Sequence, residues 1–163
     1  MAPEVEPEIR LGIPAYFPAD YIPDANQRLL FYKRLASLRN PEEREELREE
    51  IKDRFGAYGT TVENLFLVMD LRRVLKEVLV QQISVSDGRV FLLFHPESPV
   101  KVEKLLQLIK EPGTRFRLAP DGRLSFTPQD QEWHRLIAEV TELLQALHEK
   151  GPQRNVALEP LHA

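Results

Sequence analysis

Residues 81–95 read QQISVSDGRVFLLFH. Two short runs, Gln82–Ser86 and Val90–His95, flank Asp87-Gly88. That dipeptide tolerates the positive φ a two-residue turn needs, so the stretch predicts a β-hairpin. A second hairpin is predicted from Thr114–Leu118 and Arg123–Thr127, around Pro120-Asp121-Gly122. Between them a helix is expected from Pro99 to Lys110, capped by Ser98, with Val102, Leu105, Leu106 and Ile109 inward and a stop at Pro112-Gly113.

Upstream, Ile9, Leu11 and Ile13 alternate and predict a strand ending at Pro14. Asp24 opens a first helix as a capping box with Gln27, its apolar stripe being Leu30, Tyr32, Leu35 and Leu38, widened by Phe31. Asn40-Pro41 starts a second helix, whose narrow stripe is Leu47, Ile51 and Phe55, with Gly56 as its cap. Thr60 with Glu63 predicts a capping box on a long third helix through Leu65, Phe66, Met69, Val74, Val78 and Leu79. Downstream, Thr127-Pro128 opens a last helix through Trp133, Leu136, Ile137, Val140, Leu143, Leu144 and Leu147, ended by Gly151-Pro152. The expected order is strand, three helices, hairpin, helix, hairpin, helix. Partial segregation of helices from antiparallel strands argues an α+β domain, with a mixed or antiparallel sheet packed on helices, and not a doubly wound sheet.

A chain of 163 residues favours one compact domain. Residues 1–7 read as a loose lead-in, 8–149 as the domain and 150–163 as a flexible tail. There are no cysteines, which excludes disulfides, thiolate nucleophiles and Cys-based metal sites. The net charge of −4 with 29% charged residues is a poor match for a phosphate backbone. No apolar run approaches the ~20 residues of a membrane span, and the acidic N-terminus lacks the apolar core of a secretory signal. A cytoplasmic, monomeric protein is expected.

Catalytic signals are missing. There is no phosphate-binding glycine motif, and 7 glycines leave few places to wrap a nucleotide. His95, His134, His148 and His162 lack metal-ligand spacing, and Ser84, Ser86, Ser98 and Ser125 lack a nucleophile-elbow pattern. No cofactor, metal or catalytic residue is assigned. The second helix concentrates Glu42, Glu43, Glu45, Glu46, Glu49, Glu50 and Asp53. Arg44, Arg48, Lys52 and Arg54 offer i, i+4 partners, so the helix is either a solvated charged face or a dock for a basic partner. The basic clusters are Arg72-Arg73 and Arg115-Phe116-Arg117. With Phe116 turned away from the arginines they make a weak nucleic-acid platform, and direct nucleic-acid contact is kept only as the alternative function.

The stretch from Ile13 to Gly56 is specific. Tyr21-Ile22-Pro23-Asp24, Arg28-Leu29, Phe31-Tyr32-Lys33-Arg34, Glu50 and Asp53-Arg54-Phe55-Gly56 closely resemble the opening of the C-terminal domain of the bacterial transcription-repair coupling factor. The resemblance extends over about residues 8–149. It implies a non-catalytic, autoinhibitory interaction domain of an ATP-driven DNA translocase that removes stalled RNA polymerase at lesions and recruits UvrA. The domain would clamp the N-terminal UvrB-like module of the same protein and mask its UvrA-binding surface. UvrA and RNA polymerase would then be indirect partners. The motor and the other modules are missing here, so the chain reads as a fragment of such a protein. Glu50 and Asp53, beside the buried Ile51 and Phe55, are the expected contact residues, with Glu46 and Glu49 in outer support. The Tyr-Ile-Pro-Asp run is expected to be architectural.

Overall fold

A computed structural model of the chain describes residues 2–148. The element order is the one expected: β1 (Glu8–Arg10), α1 (Ala25–Ala36), α2 (Pro41–Phe55), α3 (Thr60–Val78), β2 (Val80–Ser86), β3 (Arg89–Phe94), α4 (Val102–Lys110), β4 (Phe116–Leu118), β5 (Leu124–Phe126) and α5 (Trp133–Leu147). The five strands form one mixed sheet in the order β1-β2-β3-β5-β4. Both hairpins are present, and β1 adds in parallel to β2. The class is therefore α+β. The tail from residue 150 and the Gly151-Pro152 stop lie outside the described residues.

Contacts within the chain gather into two units. A helical unit spans Gly12–Asp70, and a sheet unit takes the chain up to Leu11 and from Leu71 onward. α3 contributes to both. In the helical unit, Phe17, Ile22, Phe31, Leu35, Leu47, Ile51, Val62, Leu65 and Phe66 form the core. Burying each of the larger side chains contributes about 1.5–3 kcal/mol. In the sheet unit most of the buried apolar side chains come from one sheet face (Ile83, Val90, Leu92, Leu124, Phe126), from the end of α3 (Leu71, Leu75, Val78) and from α5 (Leu136, Ile137, Val140, Leu144, Leu147).

Several local expectations are corrected. β1 stops at Arg10, because Gly12 turns the chain at φ +73° before Ile13 can pair. Leu30 is 51% exposed, since α1 faces its core with Phe31 and Leu35, one turn apart. Asp24 caps α1, but its carboxylate accepts from the Asn26 amide. Thr60 is already helical, and Glu63 is drawn to Arg48, so no capping box forms there. Leu71 and Leu75, unread in the sequence, are the buried positions of α3 where Val74 was expected. Ser98 donates to the Val78 carbonyl instead of capping α4, which begins only at Val102. α4 buries none of its residues fully, and Val102 is 63% exposed. α5 is capped by Glu132, not Thr127: its carboxylate accepts from the His134 amide at 2.9 Å, which opens the helix five residues later than expected. The lead-in carries buried Val5 and Pro7, and Glu6 pairs with Arg72.

Candidate protein-interaction site

α2 is fixed at both ends by its own sequence. The Asn40 side chain accepts from the Glu43 amide at 2.8 Å, and Pro41 needs no partner at the first position. Gly56 adopts φ +89°, which a residue with a Cβ rarely does, and its amide closes on the Lys52 carbonyl at 2.8 Å.

The inner face carries more than the narrow stripe. Leu47 and Ile51 are buried, and Phe55 meets Phe31 edge-on at 5.6 Å. Arg44 and Arg48 turn inward as well. Arg44 Nε lies 3.0 Å from both carboxylate oxygens of Asp70 on α3. Arg48 donates to Glu63 at 2.7 Å and to the Tyr58 hydroxyl. Both guanidinium groups lie over the Phe66 ring, at 5.2 and 4.8 Å from its centroid. An arginine can bury its stem and its flat head on aromatic rings while a carboxylate satisfies its donors, and this pair does so. The hydrogen bond from Arg48 holds the Glu63 carboxyl below its usual range, and burial pushes the Tyr58 phenol up.

The four expected contact residues divide into two kinds. Glu46, Glu49 and Asp53 are exposed, and no cation among the described residues pairs with them. Glu50 is half-buried and clamped: Arg34 of α1 donates to both its oxygens at 2.7 Å, and Arg54 stands at 3.4 Å. The Arg34 hydrogen bonds, with Arg54 behind them, hold the Glu50 carboxyl below its usual range. Glu50 thus lies on the α1 side of the stripe. All four line one shallow depression together with Glu45 and Arg54. Arg34 belongs to the site and was not read as such, because its partner lies 16 residues away and no local spacing signals the pair.

The model of the TRCF domain family matches residues 11–105. The chain belongs to this family. A transcription-repair-coupling factor of Myxococcus xanthus is 30% identical over 145 residues, which is 88% of this chain and 12% of that protein. That of Haemophilus influenzae is 34% identical over 119 residues, 73% of this chain and 10% of that protein. That of Bacillus subtilis is 33% identical over 122 residues, 74% of this chain and 10% of that protein. The chain therefore spans only about an eighth of the first of these relatives and a tenth of the others. Its fold is similar to the crystal structure of a C-terminal domain of transcription-repair coupling factor, with a TM-score of 0.66 and 23% identity, over 86% of this chain and 94% of that one.

The basic clusters of this TRCF domain are already engaged in part. Arg115 precedes β4 instead of lying on it, pairs with Glu139 of α5 and stacks over Phe116 and Phe126. Arg72 pairs with Glu6. The Tyr-Ile-Pro-Asp run serves the architecture, as expected. Ile22 is fully buried, Tyr21 donates to the Gly56 carbonyl, and the amides of both close on the Pro18 carbonyl at 3.0 Å.

Proposed function

We propose that this TRCF domain is the autoinhibitory clamp of a coupling factor. It would act in the cytoplasm, without catalysing a reaction, within an ATP-driven DNA translocase that removes stalled RNA polymerase at lesions and recruits UvrA. It docks on the UvrB-like module of the same protein and masks the surface that UvrA uses. The observation that carries this reading is the division of charge on α2. Its inner arginines are neutralised by α3, so the outward Glu46, Glu49 and Asp53 stand as a stripe that no cation among the described residues pairs, on a helix held by a core and by two caps. Such a stripe fits an arginine-bearing surface and sets orientation and on-rate more than affinity. Glu50, held by Arg34 and Arg54, keeps a fixed carboxylate at the edge of that dock.

The test is an NMR titration of the labelled chain with the UvrB-like module. An intramolecular contact can be weak once untethered, because a linker supplies an effective concentration of order mM. Amide shifts centred on α2 that fade with salt are expected, as is their loss in Glu49→Lys/Asp53→Lys. Shifts centred elsewhere would discard this site, and an absence of shifts at high concentration would discard the clamp.

A further inference from the structure

The two faces of the sheet differ. One carries the buried Ile83, Leu92, Leu124 and Phe126. On the other, the strand register lays out a single row across all five strands. Arg10 stands opposite Ser84, Ser84 opposite Phe91, Phe91 opposite Ser125, and Ser125 opposite Arg117. With strands about 4.8 Å apart, the row is about 19 Å wide. Its centre is the half-buried ring of Phe91, between the half-buried Ser84 and the buried Ser125, whose hydroxyl is taken by Arg89.

Next to the row lies Arg89, whose guanidinium donates to Ser125 Oγ at 3.0 Å and to Thr127 Oγ1 at 3.2 Å. Those hydroxyls fix its position without cancelling its charge. Arg117 is exposed, and no carboxylate among the described residues pairs with either arginine. Arg10, Arg115 and Arg123, by contrast, each have an acid. Burial, followed by the like charge of Arg117, lowers the Arg89 pKa, as expected of two cations with no carboxylate of the described residues paired to either.

We propose that this sheet face binds single-stranded nucleic acid, a base stacking on Phe91 and the adjoining phosphates held by Arg89 and Arg117. A flat face with a central aromatic and uncompensated arginines beside it suits bases and a phosphate backbone. Peptides instead take a sheet edge or a groove, and the features here lie on a sheet face, Arg89 and Phe91 on the inner strand β3 and Arg117 on the edge strand β4. The reading is independent of the acidic stripe on α2.

Fluorescence anisotropy of labelled 12-residue oligo-dT and oligo-U, titrated with the whole chain, tests it. Both should bind, and a duplex of equal length should bind more weakly. Two or three phosphate contacts predict about ten-fold weaker binding when salt rises from about 50 to 200 mM. Arg117→Ala, at an exposed site outside the core, should flatten that salt dependence by about 0.7 in log–log slope. Phe91→Leu keeps an apolar side chain and should weaken binding about ten-fold through lost stacking. Equal affinity of the two oligonucleotides supports contacts to base and phosphate alone, and a preference for either supports an added contact to sugar or methyl. Absence of binding at millimolar protein would overturn the proposal, as would binding unchanged in both variants. Polyglutamate that displaces the oligonucleotides at equal charge concentration would overturn it in favour of an acidic polypeptide.

Discussion

The two long sides of α2 handle charge in opposite ways. Inside, Arg44 and Arg48 lie against Phe66 and are closed off by Asp70 and Glu63. Outside, Glu46, Glu49 and Asp53 face solvent, and no cation among the described residues pairs with them. The side that looks polar in sequence is therefore partly core, and the acidic excess is concentrated on the other. A helix with only two fully buried residues, Leu47 and Ile51, can still be firmly seated when arginine stems and rings complete its contact face.

That contrast can be broken from the inside first. Phe66 is fully buried beneath both arginines, and Phe66→Ala should cost about 3–5 kcal/mol in urea or thermal unfolding. A cost near that of a surface substitution would show that the arginines do not rest on a packed platform. Next in size, Arg48→Met keeps the stem but leaves Glu63 and Tyr58 without their donor. Because Glu63 is about one-third exposed, the loss should be about 1–2 kcal/mol.

The same pair gives a pH signature. The Glu63 carboxyl titrates below its ordinary 4.5 in the folded chain. Its contribution is therefore complete above about pH 4.5 and is lost as acid protonates the folded form. Glu63→Gln should show a smaller drop in unfolding midpoint than the parent between neutral pH and about pH 3.5. An equal drop would mean that Glu50 and other carboxylates carry the acid sensitivity. The smallest effect belongs to the outside: Glu49→Lys/Asp53→Lys should change stability by no more than about 0.5 kcal/mol. A larger loss would assign these acids a structural role and weaken their assignment to docking.

Much of this was readable in advance. Asp87-Gly88, Asn40-Pro41 and the period of α5 placed elements correctly, because turn conformation, capping and amphipathicity act within a few residues. Errors fell where a distant group competed for a local one. Glu63 left its own helix start for Arg48, Ser98 turned to Val78, and Glu132 took the cap expected at Thr127. The α4 stripe predicts an inward Val102, yet Val102 is exposed, since periodicity fixes a face without saying what covers it.

By itself, then, the sequence determined the order of the elements, the α+β class, the ends of α2 and the family resemblance, all carried by short-range backbone and side-chain preferences. The tertiary structure decided which carboxylates are spent and which are free, and which residues share a row on the sheet. Arg34 with Glu50, Arg44 with Asp70 and Arg117 beside Ser125 depend on register and helix packing, which bring together groups that the chain keeps far apart.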